Sequence, residues 1–297
     1  MFYSPLRYPG GKGKLSSFME MMIKKTGHEG GTYIEPFAGG AGIALELLEK
    51  NVVSEIVIND YDKGIYSFWR AILTETDRFI KEIENIPITL DEWDKQRRIC
   101  LSGATRYSFE LGFATFFMNR TNRSGIIKGG VIGGRKQTGK WKIDARFNKP
   151  NLINRIESIA EKRNHIHLYN KDIESFVVNY MPQYAENALV YLDPPYLHKG
   201  KQLYLNFFNY DDHMRIEQMV RSDIGTDWIV TYDDSPKIRE LYKDYNLFQY
   251  DLNYSLSKRK KANELMIFAR EEMIPTKDEL ECMGININLR RGNKNEC

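Results

Sequence analysis

Leu189-Val190-Tyr191-Leu192-Asp193-Pro194-Pro195-Tyr196 decides how the chain is read. Its first four residues are an apolar run of strand length, and two successive prolines must end it. Asp193 therefore stands at the carboxyl end of a buried strand, the edge where open α/β sheets place their ligand crevice. The prolines carry carbonyls with no N–H beside them, so the turn offers acceptors on a stiff backbone. A carboxylate, a fixed carbonyl and an aromatic ring converge within four residues. That set suits a planar substrate bearing an amino group: Asp193 and the Pro194 carbonyl accept its two N–H bonds, and Tyr196 stacks on its ring. The plainer alternative, a strand end and a rigid turn, gives no reason for both the acid and the tyrosine.

Strand followed by turn and helix recurs upstream. Tyr33-Ile34-Glu35-Pro36-Phe37-Ala38-Gly39-Gly40-Ala41-Gly42 reads as a strand and a glycine turn, and residues 43–49 as the helix after it. Glycines there let a ligand approach the backbone. The dinucleotide fingerprint is not met, since counting from Gly40 its third glycine would fall at Leu45. Residues 55–60 form a second strand ending in Asp60, about 20 residues after the turn, where an acid suits ribose hydroxyls. The alternative for Asp60 is a cap on the next helix. That helix, 64–73, carries Tyr66, Trp69 and Leu73 at core spacing. Ahead of all this, Ser4-Pro5-Leu6-Arg7-Tyr8-Pro9-Gly10-Gly11-Lys12-Gly13-Lys14 is a glycine-rich turn feeding a helix at 15–25. It is not a phosphate-binding P-loop, which would need glycine at Tyr8 and Ser or Thr at Leu15. Lys12 can pair with a ligand carboxylate, and Tyr8 can stack on a ligand.

Residues 76–154 interrupt the rhythm. Two short helices flank Pro87, and the aromatic run at 111–118 is a buried helix. A glycine-rich stretch follows, in which residues 119–150 hold nine lysines and arginines against one acid, Asp144. With a whole-chain charge of +3, that local excess of eight leaves the remainder at −5. A basic segment on a mildly acidic body is a polyanion-binding footprint, the alternative being a solvated basic loop. Asn and Arg side chains on such a loop can follow phosphates and reach base edges. The alternation then resumes: a helix at 151–162, a strand at 166–169 followed by Asp172, the 189–193 strand, and a polar loop with Tyr204, Phe207 and Phe208. A helix at 211–221, a strand at 228–231 and a helix at 236–242 come next. Runs at 248–252 and 265–269 close the sheet as a hairpin around Lys258-Arg259-Lys260-Lys261. The tail after Met283 gives no signal.

At 297 residues, 42% hydrophobic and 28% charged, the composition is that of an ordinary globular protein. No run approaches the ~20 apolar residues of a membrane span, and the first fifteen residues lack a signal-type apolar core. Three scattered cysteines fit a reducing cytosol. Five histidines and three cysteines form no metal-ligand spacing, and no nucleophile-elbow signature is present. Metal hydrolysis and acyl transfer are poor readings.

Taken together, these segments resemble the Dam-type DNA adenine-N6 methyltransferases, which use S-adenosylmethionine. Tyr8 to Lys12 is similar to the family's N-terminal cofactor motif, and the segment from Glu35 to Gly40 to its cofactor glycine loop. Asn59-Asp60 is similar to the family's segment whose acid, here Asp60, holds the cofactor ribose, and Asp193-Pro194-Pro195-Tyr196 to its catalytic tetrapeptide. Their order, with an insertion between the second strand and the tetrapeptide, also matches. There are two departures. Ala41 stands where the family often has glycine, and Tyr8 where it often has tryptophan.

The resemblance implies an α/β fold: a Rossmann-like S-adenosylmethionine methyltransferase sheet carrying an inserted, mainly helical target-recognition domain. Residues 1–75 and 155–297 form the catalytic domain and 76–154 the insertion. Asp193, Pro194 and Tyr196 are then catalytic. Tyr8, Lys12, Phe37, Gly39, Asp60, Asp172 and Asp193 bind the cofactor, with Asp172 toward its adenine. Arg120, Asn122, Arg123, Lys128, Arg135, Lys136 and Lys140 bind DNA. The implied protein is a cytoplasmic monomer with double-stranded DNA as substrate, alone or beside a cognate restriction endonuclease, with no metal and no membrane. Rival readings are an RNA adenine methyltransferase, a protein-amide methyltransferase (for which Asn would suit position 193), and a silent nucleic-acid-binding protein of the same fold.

Overall fold

The structure is a computed structural model and describes residues 3–7, 15–197, 208–251 and 263–291. Tyr8, Lys12, the greater part of the loop with Tyr204 and Phe207, and the run at Lys258 lie outside the described residues.

Eight strands form one sheet in the order β3-β2-β1-β4-β5-β7-β6-β8. β1 (Thr32–Glu35), β2 (Glu55–Asn59), β3 (Ile166–Tyr169), β4 (Ala188–Leu192) and β5 (Asp227–Asp233) are parallel neighbours. β7 (Asn263–Phe268) runs antiparallel to β5 and to β6 (Asn246–Asp251). The expected hairpin is therefore present, with its second strand inserted next to β5. The tail adds β8 (Asn288–Arg291) on the outer edge of β6. Three of its four residues are exposed, so it carries no apolar alternation that a sequence reading can detect.

Period-two alternation separates two cores. Tyr33, Ile56, Ile58, Leu189, Tyr191 and Ile229 face α1 (Ser16–Thr26), α2 (Gly42–Glu49) and α3 (Lys63–Thr74). Ile34, Val57, Val190, Leu192 and Val230 face α8 (Ile173–Asn179), α9 (Tyr210–Ser222) and α10 (Pro236–Leu241). Helices on both faces explain why β4 is apolar throughout instead of alternating. Local sequence sets the helix ends. Asp62 caps α3 by accepting from the Gly64 and Ile65 N–H groups, and α1 stops at Gly27, whose left-handed φ of 80° suits glycine. Within α3 the core residues are Ile65, Phe68, Trp69 and Ile72, while Tyr66, expected inside, is half-buried.

The span from 76 onward forms α4 (Thr76–Asn85), α5 (Leu90–Cys100), α6 (Phe109–Thr121) and α7 (Lys149–Glu161), the last running unbroken through the expected boundary at 154. In α6 only Glu110 and Arg120 escape burial. It crosses α3 at Gly112, where an added Cβ would lie 2.4 Å from the Ser67 carbonyl oxygen. Phe68 stacks on Phe116 at 5.9 Å, and Phe79 packs edge-on against both. Residues 76–121 thus share one apolar core with the α3 layer. A short helix, α11 (Lys277–Cys282), precedes β8.

Candidate active site

Strand order reverses between β1 and β4, and Phe37, Gly39, Asp60, Asp172 and Asp193 follow the carboxyl ends of β1, β2, β3 and β4. β1 ends in Glu35, and the chain turns through Gly39 (φ 48°) and Ala41 (φ 45°) into α2. Ala41 is left-handed, the conformation glycine tolerates at least cost, which accounts for glycine as the commoner choice there. The turn is held from several sides. Gly39 N–H donates to Asp60 Oδ2 at 2.8 Å, Trp69 Nε1 donates to the Gly39 carbonyl at 2.9 Å, and Ala44 N–H donates to Glu35 Oε1 at 3.2 Å. Buried Asn59 donates to the carbonyls of Pro36 and Lys171 and accepts from Lys171 N–H, tying the ends of β1, β2 and β3 together.

Asp60 is not the cap of α3; Asp62 is. The other Asp60 oxygen accepts from Asp62 N–H at 2.9 Å. Burial, then the charge of Asp62, pushes its carboxyl up to about 7. Phe37 is half-buried and meets Phe208 edge-on at 5.8 Å. Asp172 is exposed and caps α8 through Ser175 N–H, so one of its oxygens is committed to the helix.

Asp193 follows β4 directly, half-buried, with Pro194 buried behind it. Residues 33 and 35, 191 and 193, and 229, 231 and 233 all point to the α1 face of neighbouring strands. Thr231 hydroxyl therefore reaches Asp193 Oδ1 at 3.1 Å, and Tyr191 hydroxyl reaches Thr231 Oγ1 at 2.9 Å. Since the Thr231 proton goes to the carboxylate, Tyr191 donates to Thr231. Glu264 on β7 stands opposite Asp233 and Tyr250 on the same face. It accepts from Tyr250 hydroxyl at 2.5 Å and from Tyr196 hydroxyl at 3.2 Å, so the Tyr196 ring is anchored at its far end. Burial, with Asp193 nearby, pushes the Glu35 carboxyl up to about 8. Burial likewise raises the Tyr33 and Tyr191 hydroxyls well above their usual range.

The basic segment is divided by the structure. Arg123, Lys128, Lys136 and Lys140 are exposed. Arg135 is exposed but makes two hydrogen bonds to Asp94, at 2.8 and 2.7 Å. Arg120 is half-buried and donates to the Arg146 carbonyl at 2.7 Å. Asn122 corrects the sequence reading. It is fully buried, accepts from Trp93 Nε1 and donates to the carbonyls of Ile126 and Ile127, so it builds the turn and does not face a ligand. Sequence reading also passed over Thr231, Glu264, Glu35 and Asn59 as individual contributors. The available signal was polarity inside apolar runs: a threonine within the 228–231 strand and a glutamate immediately before the 265–269 run.

Residues 8–256 match the family model described as D12 class N6 adenine-specific DNA methyltransferase. The Type II methyltransferase M.MjaIII of Methanocaldococcus jannaschii is 26% identical over 235 residues, covering 73% of this chain and 78% of that protein. An uncharacterised protein from Listeria monocytogenes serotype 4b aligns over 89% of this chain and 71% of its own, at 9% identity and a TM-score of 0.36. The rRNA methyltransferase aviRa from Streptomyces viridochromogenes aligns over 86% and 84%, at 10% identity and a TM-score of 0.33.

Proposed function

The chain belongs to the D12 class N6 adenine-specific DNA methyltransferase family, and from that membership we propose that it methylates adenine at one short sequence in duplex DNA, with S-adenosylmethionine as donor. The observation that carries this reading is the placement of Asp193: at the sheet's reversal point, across from the glycine turn, with one oxygen fixed by Thr231.

The residues at the ends of β1 and β2 fit the donor. Phe37 offers a ring and Gly39 a turn without a side chain. Each Asp60 oxygen accepts one main-chain N–H and keeps a lone pair for a ribose hydroxyl. Tyr8 and Lys12 are assigned to the same ligand from their motif, and Asp172 to its adenine through the oxygen not used in capping. When bound, the donor supplies a methyl group on a cationic sulfonium.

The adenine amine is a poor nucleophile because its lone pair is delocalised into the ring. Asp193 and the Pro194 carbonyl accept its two hydrogens and localise the lone pair, so the contribution is positioning and electrostatics. Thr231 keeps Asp193 from rotating away. The base must leave the duplex to be reached, at a cost of a few kcal/mol. Tyr196, anchored by Glu264, offsets this with a stack of ~1–3 kcal/mol. Thr231→Val preserves shape and removes the hydroxyl bond to Asp193. We expect kcat to fall about tenfold, the scale of one hydrogen bond, with donor KM unchanged; steady-state kinetics check this.

Exposed Arg123, Lys128, Lys136 and Lys140 serve the DNA backbone, with residues 76–154 as the recognition region. The likeness to M.MjaIII supports a place in type II restriction-modification, with a cognate endonuclease as partner. We assign the protein to the cytoplasm as a monomer; no helix among the described residues is long and apolar enough to cross a membrane.

The decisive experiment is transfer of labelled methyl from S-adenosylmethionine to unmethylated genomic DNA, with modified adenines mapped by sequencing. Label at adenines of one short motif is expected. Label on RNA alone, or none despite donor binding, overturns the proposal.

A further inference from the structure

Three segments far apart in sequence bring four arginines together where residues 3–7 meet α7 and the end of α6. Arg7 Nη1 donates to the Asn122 carbonyl at 3.1 Å. Arg120, at the end of α6, donates to the carbonyls of Arg146 and Pro5 at 2.7 and 3.4 Å. Arg155 on α7 donates to the Ser4 carbonyl at 2.8 Å. All of these partners are neutral, and no carboxylate forms an ion pair with any of the four among the described residues. The contrast with Arg135, paired to Asp94, and Arg270, paired to Asp227, is direct. Burial, followed by the charges of Arg7, Arg155 and Arg146, weakens the hold of Arg120 on its proton. Arg120 thus feels the positive charge of the other three.

A guanidinium has five N–H donors, and each bond to a carbonyl uses only one. Folding has thus oriented Arg7, Arg120 and Arg155 through backbone carbonyls and left most of their donors, and the charge of all four, without a counterion among the described residues. Crowding like charges is unfavourable unless an anion occupies the site, and guanidinium matches phosphate oxygens in geometry. The cluster also adjoins the basic loop. Arg146 lies 5.7 Å from the centre of the Trp141 ring, with Lys140 at 5.5 Å from the same ring, and Trp141 is 58% exposed.

We propose that Arg7, Arg120, Arg146 and Arg155 form a binding site for backbone phosphates of the DNA substrate, separate from the exposed lysines of the loop. It rests on the DNA methyltransferase reading and extends the DNA surface to α7 and to the N-terminal segment. The site takes phosphodiester oxygens and reads no base, so it sets register on the duplex.

The test is duplex binding as a function of salt, for the full-length protein and for Arg146→Gln/Arg155→Gln. Each lost phosphate contact lowers the slope of log K against log salt by about one. The double variant should bind cognate and unrelated duplexes equally more weakly, with a slope reduced by about two and unchanged affinity for S-adenosylmethionine. Arg146→Lys/Arg155→Lys, which keeps the charge, should restore most of the slope and guards against a folding defect. An unchanged slope in a variant that still binds the donor overturns the phosphate site. So does weakening confined to the cognate sequence, which would mean base contact. A wild-type protein that neither binds nor methylates duplex DNA overturns the function reading itself and this site with it.

Discussion

Asp193→Ala is expected to stop methyl transfer while the protein stays folded. The residue lies after β4, half-buried, and contributes no apolar surface to either core. What it supplies is a fixed acceptor whose Oδ1 is held by Thr231. Removing one preorganised electrostatic group from an enzyme site costs about 10²–10³ in kcat. Here one of only two acceptors for the amino hydrogens is lost, so a drop of at least about 10³ is expected. Asp193→Asn separates geometry from charge: it keeps the shape but replaces one acceptor oxygen by a donor, and should fall nearly as far. Single-turnover transfer at saturating DNA and donor measures the chemical step directly. Turnover near wild type in either variant would remove Asp193 from the chemistry. Thermal unfolding run alongside should show little loss, because the variant takes a negative charge away from buried Glu35.

The second large effect is on stability. The folded Glu35 carboxyl is raised from 4.5 to about 8, chiefly by burial and then by Asp193. Between those values the folded protein holds a proton that the unfolded chain has released. Stability must therefore fall as pH rises across the window and level off above it. At about 1.4 kcal/mol per pH unit the full span is at most about 5 kcal/mol. Asp60, raised from 3.8 to about 7, acts with the same sign over a lower window. Glu35→Gln has no proton to lose, so its stability relative to wild type should improve from pH 5 to about pH 8 and level off by pH 9. Denaturant unfolding of both proteins at these pH values reads this. A constant difference between them would mean that Glu35 is ionised in the folded state throughout.

Both effects arise from residues that a linear reading weights unequally. Asp193 announces itself, because an acid followed by two prolines after an apolar run fixes its position on the sheet. Glu35 does not, since its importance lies in being beside Asp193, 158 positions away in the chain. The same holds for Asn122. Within Asn119-Arg120-Thr121-Asn122-Arg123 it looks like a polar side chain on a basic loop, and only the arrival of Trp93 from α5 makes it a buried bridge.

The chain's own order determined the strand–turn–helix units, the acids at strand ends and the glycine turn, because these depend on local apolar runs and on proline and glycine stereochemistry. It also determined that a basic interruption separates the second and third strands. Tertiary structure alone decided which strand lies beside which, since neighbours in a sheet are chosen by packing across long separations. β7 slips between β5 and β6, and that step carries Glu264 to Tyr196. The parallel register of β4 and β5 carries Thr231 to Asp193. It likewise decided which basic residues keep their charge for a partner. Ion pairing engaged Arg135, and the meeting of α6, α7 and the N-terminal segment left Arg120 and Arg155 without a carboxylate among the described residues.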